Sequence, residues 1–130
     1  MEIEGIIISG TKKGSYFVSQ KFYSDQFKDR LGFKPFAGTL NIQLPREYLK
    51  EINRITEGKM EIIKGKKGFG DVKFIKAILD NQINGALVFP MKTQHTQDIL
   101  EFIASENLRE NLHLKDGDSV TLKIKLSPDI

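Results

Sequence analysis

The chain has 130 residues, 39% of them hydrophobic and 28% charged, an ordinary composition for a globular domain of the commonest size. Twenty basic and 17 acidic side chains leave a net charge of only +3, far from the dense basic footprint of a nucleic-acid binder. Cysteine is absent, which excludes a disulfide frame and a thiolate metal site and suits a reducing, intracellular setting.

In chain order, Ile3, Gly5, Ile7 and Ile8 read as a strand ended by Ser9-Gly10. Residues Gly10 to Gly14 form a Gly-bounded polar loop, after which Tyr16-Phe17-Val18 returns to strand-like composition. Ser24 is a suitable N-cap for a short helix with Tyr23, Phe27 and Leu31 at a spacing of four, stopped by Gly32 at the C′ position. From Thr39 to Leu44, Leu40, Ile42 and Leu44 alternate with Thr39, Asn41 and Gln43. A strand there puts Thr39 and Asn41 on one face.

Pro45 to Ile55 is open between a short helix and irregular structure. Met60 to Ile63 and Phe69 to Leu79 read as two strands joined by the basic turn Lys64-Gly65-Lys66-Lys67, and Asn81-Gln82 turns the chain into a strand that Pro90 ends. Ile99, Leu100 and Ile103 lie on a helical stripe within Thr96 to Ala104, with Asp98 in the first turn. Ser105 is placed to cap a second short helix carrying Leu108 and Leu112. Asp116-Gly117-Asp118 turns into a last strand with Val120, Leu122, Ile124 and Leu126 alternating. Six or seven strands, two or three short helices and no βαβ alternation predict a mainly β protein, a small barrel with helical insertions.

Repeats, low-complexity tracts and linkers are absent, so residues 1–130 are expected to form one domain. Nothing approaches the ~18 apolar residues of a membrane span. The opening Met1-Glu2-Ile3-Glu4 carries acids where a signal peptide carries bases, so a cytoplasmic protein is expected. The chain lacks a Walker loop, a dinucleotide G-x-G-x-x-G, H-E-x-x-H and G-x-S-x-G, and His95 and His113 are far apart in sequence.

Four local features carry possible chemistry. Gly10-Thr11-Lys12-Lys13-Gly14-Ser15 exposes backbone N–H groups and two ammonium groups to an anion. Thr39 and Asn41 offer neutral hard oxygens, enough for a Mg²⁺ that takes its remaining ligands from phosphates and water. Thr93, His95 and Glu101 lie near a strand end, and His95 is a candidate proton acceptor because an unperturbed imidazole has its pKa near neutrality. Glu106-Asn107-Leu108-Arg109 is a helix start that suits a base edge or a phosphate. Taken singly, each has a plainer reading: a hairpin loop, a solvated strand face, a surface histidine and a capped surface helix.

In order, the chain reads S-G-x-x-x-G-x-Y-F, L-G-F-x-P-F-x-G-T-L-N-I-x-L, G-A-L-V-F-P-x-K-T-x-H and N-L-R-E-x-x-x-L-K-D-G-D. This resembles the archaeal CTP-dependent riboflavin kinase family over about Glu4 to Lys125, most specifically in the second block. The resemblance implies a six-stranded cradle-loop-type β-barrel that transfers the γ-phosphate of CTP to the 5′-hydroxyl of riboflavin, giving FMN and CDP. It implies that Gly10, Thr11, Lys12, Lys13, Gly14 and Ser15 wrap the nucleotide with Glu106, Asn107, Leu108 and Arg109, that Thr39 and Asn41 hold Mg²⁺, and that Thr93 and Glu101 contact the flavin.

The family loop has the form G-x-G-x-G, whereas Lys12 stands at the middle position here, disfavouring φ > 0 and adding an ammonium. Phosphoryl transfer asks for positioning and charge neutralisation, so the missing Walker loop does not exclude a kinase. Glu101 and His95 are the candidate catalytic bases, with Glu101 preferred. A monomer that binds neither nucleic acid nor membrane is expected. The alternatives are a non-catalytic nucleotide- or flavin-binding barrel and a riboflavin kinase using another nucleoside triphosphate.

Overall fold

Seven strands lie among the described residues: β1 (Glu2–Ile8), β2 (Leu40–Gln43), β3 (Glu61–Ile63), β4 (Val72–Leu79), β5 (Ile83–Pro90), β6 (Ile99–Ile103) and β7 (Ser119–Ile124). The structure, a computed structural model, describes residues 1–9, 18, 20–58, 60–66, 68, 70–90 and 98–125. Among these are three α-helices, α1 (Lys21–Leu31), α2 (Leu49–Glu57) and α3 (Leu108–Asn111), with a 3₁₀ turn at Arg46–Tyr48 leading into α2. The strand order is β3-β4-β5-β6-β2-β1-β7, every pair is antiparallel, and β7 also pairs with β4. Six strands therefore close on themselves, with β3 attached outside on β4. The expected six-stranded barrel with short helical insertions is the fold found.

Each barrel strand contributes a buried side chain to one interior: Ile7, Ile42, Leu79, Leu87, Leu100 and Leu122 from β1, β2, β4, β5, β6 and β7. A second apolar layer lies outside the wall, where Tyr23 and Phe27 of α1 pack on Phe74, Ala86, Val88 and Ile103. The Phe27 and Phe74 rings meet edge to face at 5.7 Å, a favoured aromatic geometry. Strands β4, β5 and β6 thus bury residues on both faces.

Backbone geometry fits the local sequence. Asp80 and Asn81 take φ of 48° and 57°, and Gln82 N–H donates to the Leu79 carbonyl at 2.9 Å, a tight hairpin whose twist matches its strands. Gly85 lets β5 approach β6, because a Cβ there would lie 2.2 Å from the Ile103 carbonyl oxygen and 2.5 Å from Cζ of Phe102. Gly32 ends α1 as expected, at φ 83° with its N–H on the Lys28 carbonyl.

Several expectations need correction. Ser24 does not cap α1; it is a buried residue inside the helix, which starts after Gln20. Packing of Tyr23 and Phe27 sets where the first turn begins. The helix expected within Thr96 to Ala104 is strand β6, whose two faces are both buried and so imitate a helical stripe. Asp98 accepts a hydrogen bond from Gln43 Nε2 instead of starting a helix. Asn107, not Ser105, caps α3, its Oδ1 accepting from Glu110 N–H at 3.3 Å. Tyr16 and Phe17 lie outside the described residues, and Val18 is buried in helical conformation rather than extended. The Pro45 to Ile55 segment resolves into the 3₁₀ turn and α2. Among the described residues, no helix is long and apolar enough to cross a membrane.

Candidate active site at one end of the barrel

Strands β2 and β6 are paired so that Asn41 faces Glu101 and Leu40 faces Phe102. Leu40 and Phe102 point into the barrel, which sends Thr39, Asn41 and Glu101 to the opposite face of the wall. Glu101 is 3% exposed and Asn41 7%. A carboxylate so buried must be hydrogen-bonded to be tolerated, and Thr39 Oγ1 donates to Glu101 Oε1 at 3.3 Å. Asn41 Nδ2 approaches the Thr39 carbonyl at 3.5 Å. The rigidity of Glu101 therefore comes from a central barrel strand, not from the helix expected there.

Beside this pair, where β6 ends and β2 begins, a cavity of about 190 Å³ opens. Its lining mixes apolar Phe36, Leu40, Phe102, Ala104 and Leu108 with polar Thr39, Glu106, Asn107 and Arg109. Phe36 N–H donates to the Ala104 carbonyl at 2.7 Å, fastening the segment before Gly38 to the end of β6. The sequence pattern thus brings Thr39 and the whole Glu106–Arg109 segment to one cavity. Asn41 and Glu101 adjoin that cavity through Thr39 without lining it.

The α3 end of the cavity is held by polar contacts. Asn111 Nδ2 donates to Glu106 Oε2 at 2.8 Å. Arg109 Nη2 reaches the Ile8 carbonyl at 3.0 Å and Asp116 Oδ1 at 2.7 Å. Ser9 Oγ donates to Asp116 Oδ2. The Ser9 hydroxyl first, and then the Arg109 guanidinium, hold the Asp116 carboxyl below its usual range. The end of β1, from which Gly10 to Ser15 continue, is therefore fastened to α3. Gly10, Thr11, Lys12, Lys13, Gly14 and Ser15, together with Thr93 and His95, lie outside the described residues.

Sequence reading gave no role to Phe36, Phe102, Ser9 or Asp116. Phe36 had one signal, an aromatic inside the Gly-rich block, and it is 44% exposed at the cavity rim. Asp116 read only as part of a turn. Among the described residues, no cluster of three acidic or histidine side chains could cage a metal ion. The oxygens of Thr39 and Asn41, next to one carboxylate, instead fit a hard cation that keeps waters and shares phosphate ligands.

A closed barrel with a cavity of mixed apolar and polar lining at its end is a frame suited to small ligands. A family model named CTP-dep_RFKase, described as "Domain of unknown function DUF120", matches residues 7–124. The chain is 48% identical over 123 residues to the riboflavin kinase of Methanobrevibacter smithii, covering 95% of this chain and 99% of that protein. Against the riboflavin kinase of Methanothermobacter thermautotrophicus it is 49% identical over 119 residues, with 92% and 95% covered. The Archaeoglobus fulgidus riboflavin kinase is 39% identical over 97% of this chain, which spans 55% of that longer protein. The chain belongs to the CTP-dependent riboflavin kinase family, as the sequence resemblance implied.

Proposed function

We propose that this chain phosphorylates riboflavin to FMN, taking the γ-phosphate of CTP in a Mg²⁺-dependent reaction. The observation that carries this reading is the meeting of Thr39 with Glu106, Asn107 and Arg109 around one cavity, beside the buried Glu101. In the transfer, the riboflavin 5′-oxygen bonds to the γ-phosphorus, the bond from that phosphorus to the β,γ-bridging oxygen breaks, and CDP leaves. Arg109 offers charge to the nucleotide phosphates, and Glu106 and Asn107 offer polar groups to its base or sugar. Glu101 accepts the hydroxyl proton, its carboxylate held in place by Thr39. Thr39 and Asn41 would hold the cation, which neutralises phosphate charge as it develops.

The closed barrel joins β1 to β7, which supports treating residues 1–130 as one riboflavin kinase domain. We read it as a cytoplasmic monomer whose partners are riboflavin, FMN, CTP and CDP, and not nucleic acid or membrane. The test is incubation with riboflavin, Mg²⁺ and each of CTP, ATP, GTP and UTP, with FMN separated chromatographically. FMN from CTP is the expected product. FMN from ATP alone would overturn the donor, and no FMN from any nucleotide would overturn the kinase in favour of a binding barrel.

A further inference from the structure

We propose that Asp116 is a positioning residue for nucleotide binding, which pins Arg109 and the end of β1 in one arrangement so that the free edge of the guanidinium faces the cavity. This rests on the reading that Glu106 to Arg109 contact the nucleotide. Arg109 is the one cation among the described residues lining the cavity. An arginine side chain 40% exposed has many rotamers open to it, and ordering them on binding opposes affinity. Here that ordering is already done. Nη2 is held by Asp116 Oδ1 at 2.7 Å and by the Ile8 carbonyl at 3.0 Å. Among the described residues, Nε and Nη1 have no partner and remain for an anion.

Asp116 is itself fixed. Its Oδ2 accepts from Ser9 Oγ, and its turn is tied to β1 by Gly117 N–H on the Ile7 carbonyl at 2.8 Å and Ile7 N–H on the Asp118 carbonyl at 2.9 Å. The carboxylate therefore joins Ser9, just after β1, to the cation that lines the cavity. A second consequence of a carboxylate in this place is repulsion of a phosphate. Positioning and repulsion predict opposite signs when the charge is removed, which makes the proposal decidable.

The experiment is calorimetric titration of CDP and, separately, FMN into the full chain and into Asp116→Asn, Arg109→Ala and the double variant. Positioning predicts that Asp116→Asn weakens CDP binding about tenfold, the scale of a charged hydrogen bond, while leaving FMN binding unchanged. In the Arg109→Ala background the same substitution should cost nothing, because its effect passes through Arg109. Ser9→Ala should give a smaller loss of the same sign, and keeps the test open if Asp116→Asn does not fold. Unchanged or tighter CDP binding, an equal loss of FMN binding, or a full loss in the Arg109→Ala background would each overturn the proposal. A wild-type chain that makes no FMN but binds CDP would sink only the catalytic reading; one that fails to bind CDP would sink this inference as well.

Discussion

Thr39 and Glu101, 62 positions apart in the chain, are joined by a 3.3 Å hydrogen bond across the β2–β6 ladder. Glu101 has little solvent about it, and the strand and this hydroxyl both help to fix its position. Glu101→Gln retains shape and an oxygen able to accept from Thr39 but removes the proton acceptor. Turnover should fall by about 10²- to 10⁴-fold with flavin affinity little changed, the range for losing a general base. Steady-state kinetics with a flavin titration checks this; near-normal turnover would pass the role of base to His95.

Thr39→Ala and Asn41→Ala each remove one of the two proposed cation oxygens. Both variants should keep their far-UV circular dichroism and need a higher Mg²⁺ concentration for half-maximal velocity. A Mg²⁺ activation curve that does not move in either variant would place the cation elsewhere.

Gly85→Ala tests the closeness of β5 and β6. The added methyl meets the Ile103 carbonyl oxygen at 2.2 Å and the Phe102 ring at 2.5 Å, so strand or ring must shift. A loss of about 1–3 kcal/mol is expected, the usual cost of overpacking, read from the urea midpoint. Phe102 also lines the cavity, so nucleotide affinity should fall in the same variant.

The turn between β3 and β4 should be stable between two pH limits. Asp71 is held below its ordinary pKa of 3.8, first by the Gly65 N–H and more weakly by the Lys64 ammonium, against opposing desolvation. Its contribution is present above that value and is lost as pH falls below it. Tyr23 is raised above its ordinary 10.0, first by burial and then by the Asp71 charge, and its hydroxyl donates to the Gly70 carbonyl at 2.5 Å. Its contribution is present below pH 10.0 and is lost as pH rises beyond it. Thermal unfolding across pH should show the acid loss reduced in Asp71→Asn and the alkaline loss reduced in Tyr23→Phe; variants that track the wild type at both extremes would contradict this.

Strands whose apolar and polar residues alternate were legible, as in Leu40, Ile42 and Leu44 or Val120, Leu122 and Ile124. Strand β6 was not, since Leu100 and Phe102 fill the barrel while Ile103 packs under α1 and Glu101 joins Thr39. A segment buried on both sides has lost the period that separates strand from helix. The caps failed for another reason: Ser24 and Ser105 suit the role by type, but packing decides where a helix begins. The shared face of Thr39 and Asn41 follows from alternation alone. Their proximity to Glu106 and Arg109 does not, because it depends on the β2–β6 pairing, and only the family resemblance anticipated it. The bridge from Ser9 through Asp116 to Arg109 had no sequence signal, since its parts come from opposite ends of the chain.

Closure of the barrel by β7 fixes when this site comes into being. The bond from Arg109 to the Ile8 carbonyl spans 101 positions and that from Ser9 to Asp116 spans 107. Contacts this remote form late, after the entropy of bringing distant segments together has been overcome. A nascent or truncated chain lacking β7 would have every residue that lines the cavity but not the closed barrel that holds them. A ligand seated there would favour the folded barrel, so that its occupancy raises the unfolding temperature.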